Sequence, residues 1–260
     1  MLAFLSDIHS NVEALTVCLR EIDRLQCKRV ICLGDIIGYG PEPRETLRTI
    51  MQRAEFSLLG NHEHGAMFYA SDFNPRARAA IDWTRDQLSR RDCPREENMK
   101  FWNYLDRMPK EHREAQILLV HGSPRDPVRE YLVPRDATDR LKMDECFAKM
   151  GDAKLCFVGH SHVPGVYLKS GGFLMPPDIG MEWRVSEPAI VNIGSVGQPR
   201  DGDPRSSFVT YSGIDGSGTD GSGGVVRFHR LEYDVQATMA KIRAIPELPE
   251  YLAERLAQGR

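Results

Sequence analysis

The chain has 260 residues, of which 41% are hydrophobic, enough for one sizeable domain with a buried core but too few for two full domains. The formal net charge is -3 at pH 7, so the composition offers no basic excess for gripping nucleic acid through its phosphates. The first apolar run meets Asp7 almost at once, which is too early for a signal peptide or a membrane span. A membrane partner is therefore not expected.

Short apolar runs recur along the chain, and each ends abruptly in polar residues or glycine. This pattern predicts strands that lead into functional loops. The runs are Leu2 to Leu5, Val30 to Leu33, Phe56 to Leu59, Ile117 to Val120, Leu155 to Val158 and Ala189 to Ile193. Between the first two runs, apolar residues at helical spacing predict an amphipathic helix over about residues 11–26, with Asn11 or Ser10 as its N-cap.

The rest of the chain supplies further helices and one strand pair. Residues 75–108 read as two helices, and we interpret about 65–115 as a helical insertion or cap in a single domain over 1–245. Two later runs, 208–211 and 225–231, predict paired strands. They are joined by a Gly/Ser/Asp-rich segment, 214–224, that is typical of a flexible hairpin loop. A helix is expected over 235–245, and then a short helix or tail over 246–260.

The six cysteines never form a C-x-x-C pair, and several lie within apolar runs where a small buried thiol is the simplest interpretation. Disulfides belong mainly to oxidising compartments. The cysteine pattern therefore favours a reducing cytoplasm as the location of this protein.

Metal-binding residue types concentrate directly after the predicted strands. They are Asp7 and His9 in S-D-I-H, Asp35 in L-G-D, Asn61 and His62 in G-N-H-E, His121 in V-H-G, and His160 and His162 in G-H-S-H. An extended D-x-H segment would put both of its side chains on the same side of the backbone. The glycines allow sharp turns that present the polar group at the tip of the strand.

Gathered in space, two carboxylates, an amide oxygen and four imidazoles would suit borderline divalent metals, because no thiolate is among them. Seven ligands suit two ions better than one, with Asp35 as the candidate bridge. Two ions about 3.5–4 Å apart can hold a shared hydroxide as nucleophile and polarise the phosphoryl oxygens. Mn²⁺, Fe, Zn²⁺, Ni²⁺ and Co²⁺ all tolerate such ligands.

The ordered series D-x-H, G-D, G-N-H-E, H-G and G-H-S-H resembles the calcineurin-like metallophosphoesterase superfamily and spans Asp7 to His162. The resemblance implies an α/β fold of four layers, αββα, in which helices flank two mixed sheets and a dinuclear metal site lies at one sheet edge. It also implies that one ion is held by Asp7, His9, Asp35 and His162, and the other by Asp35, Asn61, His121 and His160. By the same resemblance His62 is no ligand but stabilises or protonates the leaving oxygen, a general-acid role suited to titration near neutrality.

The second motif departs from that of protein Ser/Thr phosphatases, which continue G-D-x-x-D-R-G, because this chain reads G-D-I-I-G-Y-G and lacks the arginine. The segments around Tyr39 and Arg200 resemble instead the compact bacterial and archaeal branch that includes small phosphodiesterases. Tyr39 and Arg200 are therefore candidate substrate contacts, with Arg200 replacing the missing phosphate contact. A solvated arginine in a surface turn is an equal alternative for Arg200.

We expect a hydrolase of small or nucleotide-like phosphate esters, either a phosphodiesterase or a phosphomonoesterase. A metal-stabilised interaction scaffold is the second hypothesis, and the complete ligand set argues against it. The third is a nuclease, for which nucleic acid would be a substrate only and the groove should be basic. Five arginines of the insertion suggest such a groove: Arg76, Arg78, Arg85, Arg90 and Arg91. Acidic residues interleave with them, however, and charges so mixed are typical of a solvated face. The pattern predicts no particular oligomeric state.

Overall fold

The computed structural model describes residues 1–68, 70, 73–213 and 223–260. These residues form twelve strands and eight α-helices, numbered in chain order. The strands are β1 (Leu2–Leu5), β2 (Arg29–Cys32), β3 (Phe56–Ser57), β4 (Glu111–Glu114), β5 (Ile117–Val120), β6 (Leu155–Val158), β7 (Gly165–Leu168), β8 (Phe173–Leu174), β9 (Glu182–Arg184), β10 (Ala189–Asn192), β11 (Ser206–Ser212) and β12 (Val225–Leu231). The helices are α1 (Val12–Arg24), α2 (Pro43–Arg53), α3 (Asn61–Met67), α4 (Pro75–Leu88), α5 (Arg95–Asp106), α6 (Arg140–Met150), α7 (Val235–Arg243) and α8 (Tyr251–Gln258).

The strands form two mixed sheets of six strands each. Their orders are β3-β2-β1-β11-β12-β9 and β4-β5-β6-β10-β7-β8. In the first sheet β1, β2 and β3 are parallel, and in the second β5, β6 and β10 are parallel. Parallel strands end at the same edge of a sheet, so the loops after these strands are brought together.

Alternation along the strands divides the core into layers. Leu2 and Phe4 of β1 face the second sheet, and the Phe4 ring stacks on that of Phe157 with centroids 4.2 Å apart. Ala3 and Leu5 point to the other face, where α1 covers them. On the far side α6 packs against the second sheet. The four-layer αββα sandwich expected from the sequence is confirmed.

The first predicted helix is confirmed as α1, and its N-cap is Asn11, whose side chain accepts the N–H of Ala14 at 3.0 Å. The paired strands near the end of the sequence are β11 and β12, which are antiparallel. The loop predicted between them falls mostly outside the described residues, at 214–222. Among the helices of the described ranges, none is long and apolar enough to cross a membrane.

A separate apolar cluster joins α4, α7 and α8 beside the carboxyl edge of the first sheet. Met239 and Ile242 of α7 and Leu252 and Leu256 of α8 pack there with Tyr39 from the loop after β2. This packing brings the C-terminal helices next to the predicted site. The division of the chain at residue 245 and the interpretation of 65–115 as an insertion stay predictions.

Candidate metal centre and active-site cleft

The predicted site residues come together at the carboxyl edges of the two sheets. Asp7 and His9 follow β1, Asp35 follows β2, Asn61 and His62 begin α3, His121 follows β5, and His160 and His162 follow β6. Seven of these eight side chains are buried and Asn61 is half-buried. The two sheets are joined directly at this edge, since the backbone N–H of His160 donates to the Asp7 carboxylate at 3.0 Å.

The backbone of the first motif is not extended, so the premise that an extended D-x-H aligns its side chains is wrong. Asp7 has φ 53° and His9 has φ 49°, and Asp35 adopts the same left-handed region. Hydrogen bonds from the neighbouring loop impose this conformation: the N–H groups of Asp7 and His9 donate to the carbonyls of Gly34 and Asp35, both at 3.0 Å. Such strain is held only where the surroundings over-determine it.

Two glycines make room for the site. Gly38 has φ 88°, and a Cβ added there would lie 2.1 Å from His62 Nδ1. A Cβ at Gly60 would lie 2.2 Å from Asp35 Oδ1. Both positions therefore need glycine because of close approach to a predicted functional side chain.

One half of the cluster contains Asp7, His9 and His162. His162 Nε2 lies 3.1 Å from Asp7 Oδ1 and 3.2 Å from His9 Nε2. His9 Nε2 also lies 3.7 Å from Asp35 Oδ2. These ligand atoms are close enough to surround one ion.

The other half contains Asp35, Asn61, His121 and His160. His121 Nε2 lies 3.4 Å from Asp35 Oδ2, 3.1 Å from Asn61 Oδ1 and 3.2 Å from His160 Nδ1. Asp35 is thus the carboxylate within reach of both halves, as a bridging ligand must be. The structure brings together the whole set of predicted ligands.

The hydrogen bonds of the four imidazoles decide where their lone pairs point. His9 Nδ1 donates to the Ile37 carbonyl at 3.1 Å and His121 Nδ1 to that of Leu33 at 3.0 Å. In the same way His160 Nε2 donates to the carbonyl of Arg129, and His162 Nδ1 donates to that of Gln198. In a neutral ring the second nitrogen then carries a lone pair. This tethering is typical of metal-bound histidines.

As a result, two pairs of imidazole lone pairs face each other at 3.2 Å, His9 with His162 and His121 with His160. Such contacts repel unless a proton or a metal ion lies between the nitrogens. Two divalent ions would satisfy both pairs, so the residues present fit the dinuclear centre that the sequence predicts.

The charges of the cluster lead to the same conclusion. Burial alone would raise the pKa of Asp7 and of Asp35, but the surrounding imidazoles hold both well below the usual range. The pKa of His121 is raised to about 9 by Asp35, although burial acts in the opposite direction. Two buried carboxylates therefore need positive charge beside them, which cations would supply.

Glu63 supports the loop that carries Asp35. Its buried carboxylate accepts the N–H groups of Asp35 and Ile36 at 2.8 Å, of Ile37 at 3.1 Å and of Gly60 at 3.1 Å. Burial and the charge of Asp35 raise the pKa of Glu63 to about 7. The bond from Gly60 caps the start of α3, and the bonds from residues 35–37 fix the loop that carries Asp35.

His62 lies beside the cluster without a fixed partner for its ring. The backbone N–H of His62 donates to Asp35 Oδ1 at 2.9 Å, while the buried ring nitrogen Nδ1 makes no hydrogen bond with the described residues. Burial lowers the pKa of His62 to about 4, and the charge of Arg200 acts in the same direction against that of Asp35. In this environment burial favours the neutral ring, and the general-acid role expected of His62 stays a prediction.

The cluster opens into a cleft with two ends. The first, which we call the cluster end, is a cavity of about 360 Å³ whose lining includes Asn61 and His160. The second, the arginine end, is a cavity of about 500 Å³ whose lining includes Arg200 and Arg255. Four residues line both ends and make the cleft continuous: Tyr39, Asn74, Ala77 and Tyr131.

The two predicted substrate contacts lie in this cleft. The Tyr39 ring is 4.4 Å from the His62 ring and 4.7 Å from that of His9, between centroids. The Arg200 guanidinium lies 5.8 Å from the Tyr39 ring centroid and donates to Gln198 Oε1 at 2.9 Å. Arg200 is partly buried in the cleft rather than in a solvated surface turn.

Sequence reasoning missed two residues of the cleft. Tyr131 is 45% exposed and stacks on the His160 ring with centroids 3.6 Å apart. Arg255 reaches in from α8, and its guanidinium lies 6.0 Å from the Tyr39 ring centroid. Neither belongs to a motif; the only available signal was an arginine on the polar face of an amphipathic terminal helix.

Comparisons with known proteins agree with this geometry. A model of the calcineurin-like phosphoesterase superfamily domain matches residues 1–213. An uncharacterized protein of Methanocaldococcus jannaschii is 35% identical over 268 aligned residues, covering 100% of this chain and 98% of that protein. The crystal structure of a metallophosphoesterase from Sphaerobacter thermophilus has a TM-score of 0.80 at 36% identity, covering 100% of this chain and 99% of the other.

A hypothetical protein from Pyrococcus horikoshii OT3, with a TM-score of 0.75 at 19% identity and coverage of 100% and 99%, shares the fold. The match over most of the chain and the identity of more than a third to full-length relatives establish kinship rather than fold likeness alone. The chain therefore belongs to the calcineurin-like phosphoesterase superfamily and is a metallophosphoesterase, a metal-dependent hydrolase of phosphoric esters.

Proposed function

We propose that this enzyme hydrolyses a small phosphodiester or phosphomonoester at a dinuclear centre. The ligands are Asp7, His9, Asp35 and His162 for one ion and Asp35, Asn61, His121 and His160 for the other. The observation that carries the proposal is the pair of imidazole contacts at 3.2 Å, whose tethered rings direct lone pairs at each other across buried carboxylates. We propose Mn²⁺, Fe, Zn²⁺, Ni²⁺ or Co²⁺ as the ions.

When bound, two such ions supply a water-derived nucleophile at neutral pH and polarise the phosphoryl oxygens. In the overall reaction the water oxygen bonds to phosphorus, the ester P–O bond breaks, and the leaving alcohol oxygen takes up a proton. We assign the stabilisation of that oxygen to His62, because its ring contacts both the His9 ring in the cluster and the Tyr39 ring in the cleft. An anionic substrate beside the ring would raise its pKa from about 4 and favour proton donation.

Tyr39 and Arg200 would contact the substrate on the side away from the ligands, since both line the arginine end of the cleft. A guanidinium suits phosphate because its planar N–H groups can donate in pairs. The cleft favours a small substrate over a nucleic acid. Arg85 donates to the carbonyls of Gly65 and Ala66, and Arg90 pairs with Asp92, so these arginines are engaged with the protein itself.

We also propose that the enzyme works in a reducing cytoplasm. All six cysteines are free thiols and four of them are buried. Burial raises the pKa of Cys18 to about 12, which suppresses the reactive thiolate. Cysteines of this kind need no oxidising compartment.

The test is a turnover screen of the metal-stripped protein, in which each candidate metal is combined with nitrophenyl phosphate, bis-nitrophenyl phosphate, cyclic nucleotides and dinucleoside polyphosphates. We expect ester hydrolysis that depends on the added metal and stops on chelation. The variant Asp35→Asn measures the background under the same conditions. Turnover that survives complete metal removal, or that is equal in the Asp35→Asn variant, would contradict the proposal.

A further inference from the structure

The arginine end of the cleft carries an excess of positive charge. Among the described residues that line it are Arg76, Arg200 and Arg255, and none of those lining residues carries a carboxylate. Within the described ranges, no ion pair involves any of these three arginines. By contrast, the buried Arg44 is paired with Glu97 at 2.5 Å. Arg76 is exposed, whereas Arg200 and Arg255 are partly buried. Two unpaired, partly buried guanidinium groups that share a cavity are typical of a site for an anion.

Arg200 and Arg255 also have hydrogen-bond donors without a partner among the described residues. Arg200 donates to Gln198, and its buried Nε has no partner among the described residues. The Arg255 side chain donates through Nε to the backbone oxygen of Arg260, and its terminal nitrogens form no hydrogen bond with the rest of the described chain. A buried donor without a partner is unfavourable, and a bound oxyanion would satisfy it.

The two guanidinium groups repel each other across the cavity. Burial, followed by the charge of Arg200, lowers the pKa of Arg255 to about 10. Arg255 is still charged at neutral pH, so the fold holds two like charges together at a cavity whose described lining contains no Asp or Glu side chain. The rings of Tyr39 and Tyr251 support them, with Arg255 lying 5.2 Å from the Tyr251 centroid.

The position of Arg200 and Arg255 relative to the metal-ligand cluster indicates which part of a substrate they would contact. The Tyr39 ring contacts His62, the side chain proposed to stabilise the leaving oxygen, and also faces Arg200 and Arg255. A leaving group that departs past His62 therefore extends along Tyr39 towards the two guanidinium groups. The scissile phosphate itself would lie at the cluster end, near Asn61 and His160.

We propose that Arg200 and Arg255 bind a second oxyanion, a phosphate or a carboxylate, on the leaving group of the substrate. This inference rests on the proposed function and narrows its substrate to phosphate esters whose alcohol part is itself anionic. It makes Arg255, from the C-terminal helix α8, a specificity-determining residue.

The test uses the full-length, metal-loaded enzyme and a series of esters that share one rigid leaving-group scaffold. The series is phenyl phosphate, 3-carboxyphenyl phosphate and 1,3-phenylene bisphosphate. Each compound is tested in two forms, one with the scissile phosphate as a monoester and one with that phosphate also esterified by a methyl group. We expect kcat/KM to rise about 10- to 100-fold when the second anion is present, the gain of one charge-assisted pairing. The larger of the two gains identifies phosphate or carboxylate as the preferred group.

Arg255→Gln should bring the ratio of kcat/KM between the anionic and the plain ester towards one, and Arg255→Lys should retain part of it. Arg243→Gln is the matched control, since it removes the same charge from the adjacent helix α7, where Arg243 pairs with Glu250 at the surface. This control should keep the full ratio. Thermal unfolding of each variant shows whether it is folded.

Equal kcat/KM for the plain, the carboxylated and the phosphorylated ester in the wild-type enzyme would overturn the inference while leaving the proposed function intact. A full ratio in a folded Arg255→Gln variant would overturn the assignment to Arg255 in the same way. Turnover of none of the esters with any of the five metals would overturn the proposed function and the inference together. The wild-type series decides even where the variant does not fold.

Discussion

The two ends of the cleft hold their polar groups by different means. At the cluster end each of the four proposed ligand imidazoles is tethered to a backbone carbonyl, and Asp7 and Asp35 adopt left-handed backbone conformations. At the arginine end Arg200 and Arg255 lie against the faces of aromatic rings, and the buried Nε of Arg200 forms no hydrogen bond within the described chain. One end is rigidly organised and the other is adaptable.

This difference matches what each end has to do. Holding metal ions requires ligand atoms fixed within a fraction of an ångström, which backbone tethers and burial provide. Recognising a variable leaving group requires charge and planar surface more than fixed geometry. We therefore expect substitutions at the cluster end to abolish function and those at the arginine end to change substrate preference.

The largest effect is expected for Asp35→Asn at the cluster end. The amide keeps the size of the side chain but removes the negative charge that faces both halves of the cluster. Metal content should fall and kcat/KM should drop by about 1,000-fold or more. Metal analysis of the purified protein together with steady-state kinetics measures both. Asp82→Asn, at an exposed position of α4, is the matched control and should behave as wild type. Full metal content in the Asp35 variant would rule out the bridge.

His62→Gln should separate catalysis from metal binding within the same end. The glutamine cannot donate a proton to the leaving oxygen, so kcat should fall by about 100-fold or more. Metal content should not change, because the proposed ligands are all present. His112→Gln, on β4, makes the same exchange at a partly exposed histidine. Unchanged kcat in the His62 variant would show that the leaving oxygen needs no help from this ring.

The sequence predicted the cluster end well because its chemistry is local. Every proposed ligand follows a strand within a few residues, and parallel strands end at one sheet edge, so strand recognition is enough to bring the ligands together. The backbone of Asp7 and His9 was not predictable. Left-handed φ is unfavourable for both residue types, and here it depends on carbonyls of the loop after β2.

Apart from Tyr39 and Arg200, the arginine end could not be predicted from the sequence, because it is made by tertiary packing. Periodicity shows that Leu252 and Leu256 form the apolar face of a helix, but it does not show that α7 and α8 pack beside Tyr39. Arg255 is one of many charged residues at the polar face of such a helix. Its role depends on a neighbour, Arg200, that is 55 residues away in sequence.

A smaller effect, on stability, is expected for Glu63→Gln beneath the cluster. The carboxylate accepts four backbone N–H groups, and an amide would turn one NH₂ group towards those donors. The free energy of unfolding of the metal-free protein should fall by about 2–3 kcal/mol. Denaturant unfolding measures it, with Glu45→Gln, an exposed partner of Arg48, as the control. Equal denaturation midpoints for the Glu63 variant and wild type would mean that the loop after β2 does not depend on the Glu63 carboxylate for its stability.

The smallest effect is expected at the arginine end, for Arg200→Lys. Lysine keeps the positive charge but loses the planar pair of N–H groups, so it can still attract an oxyanion without matching its geometry. KM for a phosphate ester should rise about tenfold while kcat changes little, because the cluster is untouched. Initial rates at saturating and limiting substrate separate the two constants. Arg243→Lys is the matched control. A fall in kcat at constant KM would instead place the Arg200 guanidinium on the transition state, and the contrast between a rigid catalytic end and an adaptable recognition end would then fail.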